Sequence, residues 1–471
     1  MMKRQTILML VVLAGSLWRV AAQPAPTTEH RLSAAQAVEL ALKQRTEILN
    51  AQLDLKNQVA YNREITGAAH PQANGTFGVQ KFFNIPVTVL PDFISPSVYG
   101  VLTREQVQAG NGQPIKAPDS YSTFPARFGV PWQASLGFSV QQLLFQPDVF
   151  VGLKARKSAL ELYQNQVKIQ VDSVKSNVYR SYYGVLIAQK GLGFARESEV
   201  RLKKLYADQE QLFKQGFIER LDLDKTKVSL NNLTTTVFQL QNLVDLSYAG
   251  LKFALAIPQQ HQLVLTDSLS MSMITKDVFA LQNDFKYENR SEVQTLQSSA
   301  QLLNLQVQRY KLNAYPTVAA GWNFGTVAQR NSFNFFNTRE SWFFNNAVGL
   351  NITMPLYDGG QRRQRIQQAM YAAEKNANTI SQVKQVIDLE IVLARTQLTN
   401  AISAINVQED NKALAEKVYE TTKIKYEKGL GSSFEVLQSE TSLQESLNNY
   451  YQALYNAVIA RIGYSRALGK L

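Results

Sequence analysis

The sequence predicts a mainly α-helical chain of long antiparallel coiled-coil hairpins with four strands of a membrane β-barrel, and three observations predict it. Seven of the 14 prolines crowd between Pro86 and Pro131, while 110 residues after Pro147 and 116 after Pro355 contain none. Turns use proline for its fixed φ, so two such gaps mark helices far longer than a globular fold needs. Within the gaps, apolar residues recur every 3.5 positions. Four other stretches alternate apolar and polar residues, the period of a strand with two unlike faces.

The N-terminus comes first. Lys3 and Arg4 precede an apolar run from Ile7 to Leu17, and Val20-Ala21-Ala22 follows. A basic start, a short apolar core and small residues describe an export signal, expected at 1–22; the competing expectation is a helical N-terminus of a cytosolic protein. The apolar run is too short to span a bilayer as a helix, and no later run is long enough. Cleavage after Ala22 removes Lys3, Arg4 and Arg19 and lowers the formal charge from +12 to +9.

An internal duplication organises the rest. Arg45-Thr46-Glu47-Ile48 returns as Arg290-Ser291-Glu292-Val293 at an offset of 245, which also carries Pro71 onto Pro316. Leu136-Gly137-Phe138-Ser139-Val140 returns as Val348-Gly349-Leu350-Asn351-Ile352 at 212, and Phe213-Lys214-Gln215-Gly216 as Tyr426-Glu427-Lys428-Gly429 at 213. Three landmarks in one order predict a first repeat over 23–257, a connector over 258–275 and a second repeat over 276–471. The difference in offset places about 33 extra residues in the proline-rich loop 84–133 of the first repeat.

Strands are expected at about 74–83, 134–145, 317–327 and 346–356. In the last, Val348, Leu350, Ile352 and Met354 oppose Gly349, Asn351 and Thr353. A soluble sandwich alternates in the same way. Strands of about ten residues, small neutral polar faces and aromatic ends favour a membrane barrel. The aromatic girdle comprises Phe82, Phe83, Phe145, Phe150, Trp342, Phe343, Phe344 and Tyr357. Four strands cannot close a barrel, and open edges cannot stay in lipid, so further copies of the chain are required.

Helical hairpins are expected at 148–257 and 358–471. Leu230, Leu233, Val237, Leu240 and Val244 step by three and four, as do Ile380, Val383, Ile387, Ile391, Ala394, Leu398, Ala401 and Ile405. That is a coiled-coil seam. A helix from Asp148 to Gly216 extends on the order of 100 Å at 1.5 Å per residue.

Other classes are excluded by composition. The chain has no cysteine, which removes disulfides, thiolate metal sites and a lipid-modified N-terminal cysteine; its three histidines, His30, His70 and His261, are not spaced for a shared metal. Lysine and arginine are interspersed with acids along helices, so no nucleic-acid partner is expected. No nucleophile–base arrangement is visible, and no enzyme or cofactor is expected. Gly429-Leu430-Gly431-Ser432-Ser433-Phe434 has Phe where a dinucleotide fingerprint needs its last glycine. Two rivals stay open: a structural coiled-coil protein of the envelope, and a metal-cation duct, for which Met271 and Met273 are the only close methionine pair outside the leader.

Three segments carry a family resemblance: the opening helix 32–42 with Ser33 and Gln36 placed for a capping box, Met354-Pro355-Leu356-Tyr357-Asp358-Gly359-Gly360, and Tyr426 through Leu437. Across roughly 33–471 the chain resembles the TolC-type outer-membrane efflux and secretion channels. Leu144-Phe145-Gln146-Pro147-Asp148 departs from the pattern in lacking paired glycines.

The resemblance implies a homotrimer with a twelve-stranded barrel in outer-membrane lipid and a helical periplasmic tunnel, a passive duct joined to an inner-membrane transporter by a periplasmic adaptor. It makes Gly216, Phe217, Gly429, Leu430, Gly431 and Ser432 adaptor-contact candidates. It also places Asp222 and Tyr426 as a closing pair, with Glu435 and Gln438 at lumen selectivity positions. For Glu435 the residues offer a second reading: Ser432-Ser433-Phe434-Glu435 is a capping box, with Glu435 reaching back to the Ser432 amide.

Overall fold

The computed structural model describes residues 29–269 and 285–471. The leader expected at 1–22 lies outside them, as do the end of the connector and the first residues expected in the second repeat.

In chain order the elements are β1 (Glu29–Leu32), α1 (Ala34–Gln44), α2 (Thr46–Gly67), β2 (Gln72–Lys81), β3 (Val87–Pro91), α3 (Ile94–Arg104), β4 (Thr123–Arg127), β5 (Trp132–Phe145), α4 (Pro147–Lys214), α5 (Arg220–Ala254), β6 (Gln262–Leu265), a 3₁₀ turn (Tyr287–Asn289), α6 (Ser291–Leu312), β7 (Thr317–Arg330), β8 (Phe343–Thr353), α7 (Gln361–Glu427) and α8 (Ser433–Ala467). The fold is mainly helical, with long hairpins α4–α5 and α7–α8 and a four-stranded antiparallel sheet. Helices α2 and α6 are both 22 residues long, and α5 and α8 are both 35.

Chain contacts divide the protein into two compact units. Of the described residues, one holds 60–156 and 304–370, the sheet among them; the other holds 29–59, 157–269, 285–303 and 371–471, most of both helical hairpins among them.

In the sheet unit the strand order is β2-β5-β7-β8, so β2 and β8 are both open edges. Pattern reading placed β2 and β8 two or three residues too far along, because alternation fixes faces more sharply than ends. The loop 84–133 is not irregular: β3 and β4 pair antiparallel, and α3 lies between them. Proline inside β4 is tolerated because a two-stranded ladder has only edges.

In the helical unit the largest core cluster joins Ala37, Val38 and Ile48 of α1–α2 to Val178, Tyr182 and Val185 of α4 and to Leu454, Ala457 and Val458 of α8. Ser33 and Gln36 make both bonds of the capping box that starts α1. A parallel pairing of β1 with β6 was not legible in the connector. Four residues of Gln262-Leu263-Val264-Leu265 are too few for a period, and the partner strand lies 233 residues away.

Both hairpins end on one device. At the first, the Phe217 amide donates to Leu212 O and the Gly216 amide to Phe213 O; at the second, Leu430 donates to Lys425 O and Gly429 to Tyr426 O, all four at 2.9 Å. This Schellman closure needs a left-handed residue, and Gly216 and Gly429 supply φ of 78° and 73°. The C-termini of α5 and α8 close alike, with Gly469 at φ 68° but Ala256 at φ 57°.

The repeated Arg-x-Glu segments share a role. Arg45 donates to Phe253 O at the end of α5 and pairs with Glu47; Arg290 donates to Ala467 O at the end of α8 and pairs with Glu292, each carbonyl bond being 2.8 Å. A guanidinium on the last carbonyls satisfies acceptors that a helix end leaves free and complements its dipole.

Candidate channel wall and hairpin tips

Register sorts the sheet into two faces. Antiparallel partners share a face, and the pairings Phe77–Leu136, Phe138–Phe324, Trp322–Val348 and Ala320–Leu350 put the apolar set on one side. The other side carries Asn74–Ser139–Asn323, Thr76–Gly137–Gly325–Asn345 and Gln80–Gln133–Gln329 in rows. The apolar side chains are open to the surroundings: Val348 is 82% exposed and Leu350 60%. Such a face is costly in water and favourable in lipid. The polar Asn346 on this face is satisfied by Trp322, whose indole Nε1 donates to Asn346 Oδ1 at 2.6 Å.

Glycines on the polar face make room for its amides and hydroxyls. A Cβ at Gly137 would stand 2.7 Å from Thr76 Oγ1, and one at Gly325 2.6 Å from Asn345 Oδ1. The strands are 10 to 14 residues long, enough to cross a bilayer when tilted.

The girdle residues fall at the two ends of the sheet. Phe82, Phe83, Trp342, Phe343 and Phe344 lie where Lys81, Trp132 and Arg330 align; Phe145, Phe150 and Tyr357 lie at the opposite end, with Phe145 and Phe150 ring centroids 5.9 Å apart. At the first end Arg330 is buried and paired with Glu340 at 2.7 Å, and Asn334 donates to the same carboxylate. The strand-to-helix corners differ between copies. Pro147 opens α4 directly, whereas Gly359 and Gly360, both at positive φ, turn the chain before α7. Asp358 then accepts from the Gly360 and Arg362 amides.

At the hairpin tips Phe217 and Leu430 are 75% and 78% exposed. Ser432 caps α8, its Oγ accepting from the Glu435 amide at 3.2 Å. The reciprocal bond of a capping box is absent: the Glu435 carboxylate instead lies over Gly431, 3.3 Å from where a Cβ would stand. Glu435 and Gln438 are both exposed, three residues apart and on one face of α8.

No hydrogen bond joins Asp222 to Tyr426. Asp222 pairs with Lys225 at 3.7 Å, while Tyr426 packs in a cluster with Leu205, its hydroxyl buried. Burial pushes the Tyr426 phenol up, and the nearby charges of Asp208 and Asp222 push the same way.

Farther from the tips lies a site that sequence reading missed. Glu440 of α8 is buried and takes Arg201 of α4 in a two-pronged contact, with Nη2 at 2.8 Å and Nε at 2.9 Å. Ser198 donates to Glu440 at 2.5 Å, and the Arg201 guanidinium lies 5.6 Å from the Tyr419 ring centroid. Burial and the Glu440 charge hold the Tyr419 phenol up at about 12. Only the bonding partner, 239 residues away, distinguishes Arg201 from its solvated neighbours.

Among the described residues no helix is long and apolar enough to cross a membrane, and no three His, Asp or Glu side chains gather as metal ligands.

Comparison with known proteins follows the same lines. The profile of a family described as "Outer membrane efflux protein" matches residues 287–470. The chain is 20% identical to Outer membrane protein TolC of Vibrio cholerae over 345 residues, 72% of this chain and 77% of that protein. It is 19% identical to the Alkaline protease secretion protein AprF of Pseudomonas aeruginosa, over 68% of this chain and 66% of that one. In three dimensions it resembles the outer membrane protein VceC of Vibrio cholerae, with a TM-score of 0.68 over 93% of this chain and 96% of that one at 15% identity.

Proposed function

The chain belongs to the outer membrane efflux protein family, and on that premise we propose that it is the outer-membrane duct of a tripartite export system. The family is one of channels, not enzymes. The observation that carries the proposal is the sheet: one face apolar and exposed, the other lined with small neutral polar groups, and both edges unpaired.

Lipid tolerates an unpaired edge no better than an unpaired charge, so the edges must be closed by further copies. Three copies contribute twelve strands and the hairpins of three protomers form a tunnel, with the polar faces on the wet side. The exposed Phe217 and Leu430 tips, with Gly431 and Ser432, meet a periplasmic adaptor that links the duct to an inner-membrane transporter. Asp222, Tyr426, Glu435 and Gln438 lie where the tunnel narrows, and three copies of Glu435 around one axis favour cations. A family described by efflux and a relative named for protease secretion support a cargo range from small molecules to polypeptides, with selection made by the transporter.

Purified mature protein should require detergent, migrate as a heat-labile oligomer on gels and open conducting pores in planar bilayers. A monomer soluble without detergent and silent in bilayers overturns the proposal.

A further inference from the structure

Two loops leave the sheet at the end where Lys81, Trp132 and Arg330 align, and they take opposite faces. The β7–β8 loop turns to the apolar face, where Phe335 is buried with Ala134 and Ala328, beside Trp132 and Trp342. The enlarged β2–β5 loop turns to the polar face. Its stem is pinned by the Phe82 amide, which donates to Pro131 O at 2.7 Å. Beyond that bond Ile85, Phe128 and Val130 line one cavity together with Gln133 and Gln329, partners in a polar row of the sheet. A barrel with that face inward carries this lobe, residues 84–131, over its mouth and not over lipid.

The lobe nevertheless exposes apolar groups on two sides. In the β3–β4 ladder Phe124, paired with Leu90, meets Phe93 at the start of α3, with ring centroids 6.3 Å apart. Val87 and Val89 lie on the other side of that ladder and are exposed. On α3, Tyr99 and Leu102 are half-buried, while Ile94, Val98 and Val101 form an exposed stripe at helical spacing. Such surfaces are costly in water, and the lipid lies behind the wall. The same lobe of the next copy is within reach. Twelve strands about 4.8 Å apart, tilted by about 40°, put the axis roughly 12 Å from the wall; α3, with 11 residues, is about 16 Å long. Asp92, Glu105 and Asp119 balance Arg104, Lys116 and Arg127, so neutral lobes meet at the axis without repulsion. One patch on the ladder and a different one on the helix are what a closed head-to-tail ring uses.

We infer that the lobe is an interaction surface for a second copy of this chain. The Val87 and Val89 side of one lobe seats on the Ile94, Val98 and Val101 stripe of the next, and three lobes so joined narrow the outer mouth of the duct. The inference rests on the channel reading.

The chain has no cysteine, so introduced thiols report only this contact. Treated in membranes with a short bis-maleimide, the mature double variant Val89→Cys/Val98→Cys should run as covalent trimers on heated gels, and each single variant as monomers. In planar bilayers Val98→Glu, which sets three carboxylates into the contact, should raise single-channel conductance above the native value. Thr103→Glu, exposed on another face of α3, should leave it native. Monomers alone from the double variant, or equal conductance of Val98→Glu and Thr103→Glu, overturns the inference. Loss of membrane insertion in Val98→Glu, the sign of a stripe lying on lipid, overturns it too. A native protein that opens no pore defeats the channel reading instead.

Discussion

At the residue scale the decisive groups are buried polar ones whose partners lie far along the chain. Glu440 is a carboxylate inside a helical unit, stabilised because Arg201 and Ser198 converge on it. Removing one member of such a set leaves the other charge without its counterion. With Arg201 partly open to water, Glu440→Gln should cost roughly 2–3 kcal/mol, read from thermal unfolding by circular dichroism in detergent. Two tyrosines make a pH prediction. Tyr183 and Tyr419 are both pushed up to about 12, chiefly by burial. The folded state therefore holds these protons more tightly than the unfolded chain. Their stabilisation is complete below about pH 10 and is lost as pH rises towards 12, on the order of 2–3 kcal/mol for each. Alkaline denaturation curves should flatten in Tyr183→Phe and Tyr419→Phe relative to the native protein. Arg45 and Arg290 show how far such groups could be read beforehand. Their recurrence is visible in the sequence, but the helix ends they hold are 208 and 177 residues away.

At the element scale the same turn closes five helix ends, those of α3, α4, α5, α7 and α8, and its demands are local. Three ends use glycine, while Gln106 and Ala256 adopt the left-handed conformation at φ 55° and 57°. That conformation costs an L-residue about 1–2 kcal/mol. Ala256→Gly should therefore raise stability by up to about 1 kcal/mol once the extra freedom of the unfolded chain is subtracted. Gly469→Ala should do the reverse, and more strongly, because its Cβ would press to 2.9 Å from the Asn289 carbonyl oxygen. Both are measured by thermal melts. Strands make a sharper test, since neighbours on β8 face opposite solvents. Val348→Arg puts a charge on the apolar face and should cost about 2–4 kcal/mol near the bilayer midplane, abolishing membrane insertion. Ala347→Arg, one residue away on the polar face, should insert normally and alter pore conductance. Cell fractionation and bilayer recordings distinguish the two; equal insertion of both variants refutes the facing.

At the scale of the whole molecule, the chain carries more surface than one copy can use. Both edges of the sheet are open, and its apolar face is exposed along its length. Much of this was legible beforehand. Periods of 2 and 3.5 report which face each residue occupies, and proline reports where helices cannot run. The sequence by itself therefore determined the four strands and their faces, the two long hairpins, their glycine turns and the duplication that relates them, because each depends on residues only a few positions apart. Strand order, the parallel β1–β6 pair, the structured first loop and the Arg201–Glu440 pin were decided only by the tertiary structure. Each joins groups that period and propensity treat independently, and a residue's spacing says which way it points but not what it will meet.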